Sequence, residues 1–199
     1  NYYYMDKFNY RAIILILLAS IIVYINSLFN PFIWDDSALV RDNFLIKDWR
    51  HTRKLFTTDL YYSKSRSNFY RPLQSLSYML DYSLWRLKPF GYRLTNIILH
   101  STVAILAYLL FLLVSKQKGV SLIGALFFVI HPIHTEAVVY ISGRADSLMG
   151  IFLLSSFILF TKHMHQDGPK GQRLYFSSLA CFALSLLCKE PALIFPFAL

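Results

Sequence analysis

Apolar and polar positions separate into long blocks along this chain. From Ala12 to Phe29 nearly every position is apolar, and no charged residue occurs between Arg11 and Asp35. A helix needs about 20 apolar residues to cross the hydrocarbon of a bilayer, so a first spanning helix is predicted over 12–29. A cleaved signal peptide is the alternative, but the bulky run from Asn26 to Trp34 stands where a small-x-small cleavage site would be. Later uncharged blocks predict spans at 94–115, 119–131, 147–161 and 174–188, with a sixth beginning at Pro191 and occupying 191–199. The fourth and fifth blocks hold fifteen residues each. That is about 22 Å of helix against roughly 30 Å of hydrocarbon, so their polar ends need shelter in a bundle or a thinned membrane.

A polar stretch, 30–92, separates the first two spans. Within it, 73–87 reads as a helix opened by Pro72, a residue suited to a first turn. Leu73, Leu76, Leu80, Leu84 and Leu87 form one stripe, and Tyr78, Tyr82 and Trp85 form an aromatic stripe beside it. Fifteen residues carrying Asp81 and Arg86 make a poor span, so this helix is expected to lie along the membrane surface. The fold class that follows is all-α: a polytopic helical membrane bundle whose long first extracytoplasmic loop carries an interfacial amphipathic helix.

Composition narrows the class. Of 199 residues 56% are hydrophobic and 16% charged, and the mean hydropathy is +0.44. A soluble domain has roughly 25% charged residues and too little interior for so much apolar surface. A disordered chain and a disulfide scaffold are excluded as well. Cys181 and Cys188 would stand about 10 Å apart on a helix, beyond disulfide reach, and read as small core residues. The net charge of +9 does not signal nucleic acid. Eleven of the 20 Lys and Arg lie between Asn30 and Thr95, Lys64 and Arg66 among them, mixed with six Asp. A mixed-charge loop between spans suits phospholipid headgroups or a phosphate-bearing substrate. Membrane lipids are therefore expected partners and nucleic acid is not. No Met opens the chain, and it closes inside an apolar run at Leu199, so it is expected to be part of a longer membrane protein.

Short loops set the orientation. Lys7 and Arg11, then Lys116 and Lys118, then Lys162, Lys170 and Arg173 fall on one side if each span crosses once. The positive-inside rule makes that side cytoplasmic, and the long basic loop escapes the rule by its length. His163 and His165 then lie on the cytoplasmic side as solvated loop residues. Asp35-Asp36, His131-Pro-Ile-His-Thr-Glu136, Gly143-Arg-Ala-Asp146 and Lys189-Glu190 all reach the outer interface. Ionisable groups at that depth are costly unless paired or lining a cavity, so four such clusters on one face point to a site. His131, His134 and Glu136 could contact an acceptor or a phosphate, cap a helix, or ligate a divalent metal. Their spacing is not that of a zinc protease and Pro132 disturbs the helix, so no metal or other cofactor is expected.

These residues also carry a family resemblance. Phe32-Ile-Trp-Asp-Asp36, Leu55-Phe-Thr-Thr-Asp59, Tyr70-Arg-Pro-Leu73, His131-Pro-Ile-His-Thr-Glu-Ala137, Ile141-Ser-Gly-Arg-Ala-Asp146 and Lys189-Glu190 resemble the amino-terminal membrane half of transmembrane proteins with tetratricopeptide repeats. That group belongs to the GT-C glycosyltransferase superfamily, near the protein O-mannosyltransferases, and its members continue into further spans and the repeats. The resemblance implies a GT-C architecture and transfer of a sugar, mannose first, from a polyprenyl- or dolichyl-phosphate donor to a hydroxyl of an acceptor polypeptide outside the cytoplasm. The membrane would be the endoplasmic reticulum in a eukaryote or the inner membrane in a bacterium. It further implies Asp35 as general base, with Asp36 orienting it or pairing with a cation. Arg71, Arg144 and Lys189 would meet the lipid phosphate, and His131, His134, Glu136, Asp146 and Glu190 would complete substrate binding. A transporter or channel subunit and a membrane scaffold are the competing readings. A transport path would put ionisable groups at mid-span. Here the span centres are nearly free of charge, with His100 as a partial exception.

Overall fold

The computed structural model describes residues 9–61 and 68–197. Lys7, Lys64, Arg66 and the end of the sixth predicted span, 198–199, lie outside the described residues. Among the described residues the regular structure is helical throughout. Helix α1 runs Tyr10–Tyr24 and tightens into a 3₁₀ stretch, Ile25–Phe29. Asn9 caps it by accepting from the Ala12 amide at 3.4 Å. A short α2, Thr52–Leu55, and α3, Pro72–Trp85, follow within the long connection. Then come α4, Pro89–Ser115; α5, Lys118–Ile130; α6, Thr135–Val139; α7, Arg144–His163; and α8, Gly168–Leu186. Pro72 and Pro89 each sit in a first turn, where the missing amide hydrogen costs nothing. Lys116 closes α4 in the left-handed conformation, φ 57°.

Three helical stretches are long and apolar enough to cross a membrane: Tyr10–Phe29, Pro89–Ser115 and Ile141–His163. A fourth exists if Lys118–Ile130 and Pro132–Val139, bent by 50°, are one broken span. The bend falls at His131-Pro132, where proline cannot continue the helix. The fifth predicted span, 174–188, lies largely in α8, which is long enough but is not among these helices. It carries Lys170, Gln172 and Arg173 in its first turns and several serines beyond them. Pro191, where a sixth span was expected, sits in a 3₁₀ stretch, Glu190–Phe197.

Helices α1, α4 and α5 pack on one another, α7 packs on α4, and α8 on α7. Ala12, Ile16, Ala104, Tyr108, Leu112, Ala125 and Val129 form the core of the first three. Small residues at Ala12, Ala104 and Ala125 let the backbones approach, as membrane helices require. The hydroxyls of Ser156 and Ser178 each donate to the other residue's carbonyl, at 2.9 and 2.8 Å, joining α7 to α8. Alternation of the helices puts the end of α1 and the starts of α4 and α7 at one end of the bundle, with the end of α5. Tyr24 Oη, donating to the Val129 carbonyl at 3.3 Å, ties two of these together.

The long connection folds over that end. Leu39, Val40, Leu45, Ile46, Leu55, Leu60, Tyr78, Met79, Tyr92 and Ile141 make a second core. Helix α3 turns Gln74, Ser75, Tyr78, Met79 and Asp81 inward. Leu80, Leu84 and Leu87 stay exposed. Leu76 packs on the second core, so only the later part of the leucine stripe looks outward, which suits an apolar surrounding.

Candidate active site

Two buried arginines build the platform of the site. Arg93, in the first turns of α4, has no exposed side chain. Its guanidinium donates to the carbonyls of Asn30, Pro31 and Val139, so it joins the segment leaving α1 to the segment leaving α6. One turn on, Asn96 Nδ2 donates to the Val138 and Tyr140 carbonyls at 3.1 and 3.0 Å, and its Oδ1 accepts from Arg144 Nε at 3.0 Å. Arg144 also donates to the Tyr92 carbonyl, pairs with Asp81 at 2.6 Å and lies 4.7 Å above the Tyr78 ring. A buried charge needs such complete pairing to be tolerated.

Above this platform the chain makes a sharp corner. Trp34 has φ 45°, a conformation costly for a bulky side chain. The next two carboxylates have different surroundings. Asp36 is fully buried. Its Oδ2 accepts from the Ile33 amide and its Oδ1 from the Ser142 amide, both at 3.2 Å, with Arg93 at 3.8 Å. Burial raises its pKa above the ordinary aspartate value, against the pull of those amides and arginines. Asp35 is exposed. Tyr61 Oη donates to its Oδ2 at 2.7 Å, and its own amide donates to Tyr140 Oη at 3.0 Å. Burial, and then the Asp35 carboxylate, push the Tyr61 hydroxyl well above an ordinary phenol, so it stays a donor at neutral pH.

Asp35 lines a cavity of about 220 Å³. Arg71, Glu136, Asp146 and Lys189 also line it, with Tyr61, Gln74, Tyr140 and Ser142. Five of the ten residues singled out from the sequence thus meet in one cavity, from segments as far apart as 35 and 189. The cations on its wall are already engaged. Lys189 Nζ donates to both oxygens of Asp146 at 2.6 and 2.7 Å. Arg71 grips Glu190 with Nε and Nη2, the shortest bond 2.8 Å, and lies over the Phe69 ring. Burial would raise the Glu190 pKa, but its bonds to Arg71 outweigh that and bring it below the usual glutamate range. Glu190 stands behind Arg71 as its counter-ion and is not part of the lining.

The other singled-out residues sit elsewhere. Arg144, expected to meet a phosphate, has no exposed surface and spends its donors on Asn96, Ser77, Tyr92 and Asp81. It positions the start of α7 from beneath. Asp36 holds the Ser142 amide, a support for the cavity wall. His134 lies 5.5 Å from His100 and 4.1 Å from Phe128 between ring centroids, and His131 lies 5.2 Å from Phe127. Neither histidine lines the cavity. Among the described residues no group of three or more His, Cys, Asp or Glu is arranged to hold a metal ion, so His131, His134 and Glu136 do not converge. Gly143 explains part of its motif: a Cβ there would stand 2.3 Å from the Glu136 carbonyl oxygen. Reading the sequence missed Tyr61, Tyr140, Gln74, Asp81 and Arg93. The signal for Arg93 was present, as a charge in the first turns of an apolar helix.

Comparison with known proteins bears on this arrangement. The family described as dolichyl-phosphate-mannose-protein mannosyltransferase matches residues 55–198, most of the chain. The chain belongs to this family. It is 35% identical over 193 residues to protein O-mannosyl-transferase TMTC3 of Mus musculus, covering 94% of this chain and 20% of that protein. It is 37% identical over 177 residues to protein O-mannosyl-transferase tmtc2 of Xenopus laevis, covering 85% of this chain and 21% of that one. To Tmtc3 of Drosophila melanogaster the identity is 31% over 213 residues, covering 92% and 23%. The chain thus spans about a fifth of the length of these curated relatives. No solved structure matches it. With its apolar helices, membership of this mannosyltransferase family makes the chain part of an integral membrane protein.

Proposed function

We propose that this chain supplies the catalytic face of a membrane mannosyltransferase. The protein moves mannose from a dolichyl- or other polyprenyl-phosphate donor to a serine or threonine hydroxyl of an acceptor polypeptide. The reaction takes place at the extracytoplasmic surface, in the endoplasmic reticulum of a eukaryote or at the inner membrane of a bacterium. The observation that carries this reading is the position of Asp35: an accessible carboxylate on a cavity whose wall also holds Lys189 and Arg71. The family's description, dolichyl-phosphate-mannose-protein mannosyltransferase, supports mannose, a lipid-phosphate donor and a protein acceptor.

The chemistry follows from those groups. Asp35 takes the proton of the acceptor hydroxyl as its oxygen attacks the anomeric carbon. Tyr61 holds Oδ2 of Asp35, and the Asp35 amide rests on Tyr140, so the carboxylate meets the acceptor in one orientation. The bond from anomeric carbon to phosphate oxygen breaks, and Lys189 and Arg71 offset the charge on the departing lipid phosphate. Asp146 and Glu190 are the counter-ions those cations release as phosphate enters. Positively charged short loops at the opposite end of the bundle support the extracytoplasmic placement.

The test is transfer from a polyprenyl-phosphate mannose to a Ser/Thr peptide by the full-length protein in liposomes. Asp35→Asn is expected to lower turnover roughly 10²–10⁴-fold, the usual contribution of a general base, with donor binding retained. Near-normal turnover by this variant would remove Asp35 from the role. Ion flux through the liposomes without any transfer would favour a transport function instead.

A further inference from the structure

We infer that the Trp34 indole is an acceptor-side contact: a platform beside the mouth of the cavity, on which the acceptor polypeptide lays the apolar side chain two positions from its accepting hydroxyl. This rests on the transferase reading and deepens it, but it names a specificity element that the chemistry of transfer does not require.

Folding does not call for tryptophan at this position. The Ile33 carbonyl accepts from the Asp36 amide at 2.9 Å and closes a turn in which Trp34 is the second residue, with φ 45°. Turns with positive φ at that residue are dominated by glycine, asparagine and aspartate, because a Cβ is crowded there. A bulky residue in such a place stores strain, and burial usually offsets it. Here it does not, since Trp34 is 86% exposed. The indole is nonetheless held in one place. Its ring meets the Tyr140 ring edge-on, with centroids 6.2 Å apart and planes at 79°. Tyr140 Oη in turn accepts from the amide of Asp35, the next residue. A ring that is strained, oriented and left open is arranged for contact with something outside the fold.

Its position selects what that is. Asp35 and Tyr140 line the cavity, and Trp34, which adjoins both, does not. Asp35 is exposed as well, so the indole stands on the side where the cavity opens. At about 220 Å³ the cavity is smaller than a drug-sized site of roughly 300–1,000 Å³. It takes one small ring and not a polypeptide. The acceptor chain therefore crosses the opening and lowers only its hydroxyl to Asp35. In an extended segment residues two apart face the same way. When the accepting Ser or Thr points at Asp35, the side chains two positions to either side face the same surface, and one of them meets the ring beside Asp35. A flat, mostly exposed indole favours an apolar side chain there, because the contact takes the surface of both out of water.

The probes are two acetylated peptide amides, Leu-Ala-Thr-Ala-Leu and Gly-Ala-Thr-Ala-Gly. Their binding to the full-length protein in nanodiscs is read by peptide-observed NMR, with binding to empty nanodiscs subtracted, and no transfer is required. The unaltered protein should bind the leucine peptide roughly fivefold or more tightly than the glycine peptide. In Trp34→Gly the two should differ by less than about twofold. That variant should unfold in detergent at the parent's denaturant concentration or above, since glycine accepts the positive φ. Trp34→Phe keeps a ring and should keep part of the preference. No binding of either peptide, or equal binding of both, by the unaltered protein overturns the inference and leaves the indole as an anchor in the bilayer interface. A preference that survives in Trp34→Gly overturns it too. So does a Trp34→Gly protein that no longer folds, because the ring is then structural. The leucine preference without any transfer would count against the transferase reading alone, and transfer with a flat peptide series would count against this inference alone.

Discussion

Asp81 and Arg144 lie 2.6 Å apart with at most 4% of either side chain exposed, whereas Asp146 and Lys189, also at 2.6 Å, keep 41% and 25%. The contact is the same and the medium is not. In the first pair neither ion can leave without stranding its partner in a low-dielectric interior. In the second, water and an incoming anion compete for the lysine at modest cost. The contrast repeats one layer over. Asp36 and Arg93 are both fully buried, while Glu190, gripped by Arg71, is 42% exposed. The inner pairs fix where the loops go, whereas Lys189, Asp146 and Arg71 line the cavity and can exchange partners. Among these four ion pairs, the carboxylates of scaffold and site are therefore divided by burial and not by residue type.

Breaking an inner pair should have the largest effect. Arg144→Ala leaves Asp81 buried without its cation and is expected to cost about 3–5 kcal/mol of stability, enough to leave much of the protein unfolded. Burial already raises the Asp81 pKa against the pull of Arg144, so the variant should take up a proton there. Arg144→Met combined with Asp81→Leu should recover only part of the loss, since it removes the buried charge but leaves Asn96 Oδ1 and the Tyr92 carbonyl without their donor. Denaturant unfolding in detergent measures both. An Arg144→Ala protein as stable as the parent would show that the pair is not a structural one.

The adjacent carboxylates sharpen the same comparison within a single dipeptide. Asp36→Asn can keep only one of its two backbone donors and turns an NH₂ group toward the other. It also removes the partner of Arg93. A loss of roughly 2–3 kcal/mol is expected. Asp35→Asn, exposed and touching Tyr61 and Tyr140, should change stability by no more than about 0.5 kcal/mol. Unfolding curves of the two variants decide it, and equal losses would erase the distinction between scaffold and site.

That distinction was only partly legible in the sequence. Apolar block lengths showed the helices of the bundle, because hydrocarbon thickness imposes them directly. They showed α8 too, at 174–188, but not that it starts at Gly168 with exposed Lys170 and Arg173, or that Ser178 bonds to Ser156 of α7. Placement of 35, 136, 146 and 189 on one face followed from span alternation, while Arg71 came only with the family resemblance. The direction of each aspartate did not follow. It shows in their partners, the Ser142 amide and Arg93 for Asp36 and Tyr61 for Asp35, which come from distant parts of the chain. The burial of Arg144 was hidden for another reason: its partner, Asp81, lies 63 positions upstream on a helix whose leucine stripe suggested the opposite face would be solvated.

Exchanging an outer pair should act on binding more than on folding. Lys189→Met frees Asp146, which is exposed enough to be hydrated, so stability should move by less than about 1 kcal/mol. The apparent KM for the lipid-phosphate donor should rise about tenfold, as expected for loss of one charge-assisted contact. Unchanged KM would take Lys189 out of phosphate binding.

The smallest effect is the pH dependence of the Arg71–Glu190 pair. Arg71 holds the Glu190 pKa below its ordinary value despite partial burial. A carboxylate depressed in the folded state stabilises above its unfolded pKa, and that contribution is lost as pH falls through the folded one. Asp36 is shifted the other way. Its folded state holds a proton more tightly, so acidification through its raised pKa relieves a burial cost and adds stability. The two contributions therefore oppose each other in acid, and a melting curve of the unaltered protein alone would blur them. Glu190→Gln separates them. At neutral pH it should be less stable than the parent by under about 1 kcal/mol, since Glu190 is 42% exposed and its side of the pair is screened by water and salt. As pH falls below the ordinary glutamate range the two proteins should converge, and added salt should narrow the gap at neutral pH. A gap that widens on acidification would mean that Glu190 carries the sign of an inner carboxylate and that the division by burial does not hold at this pair.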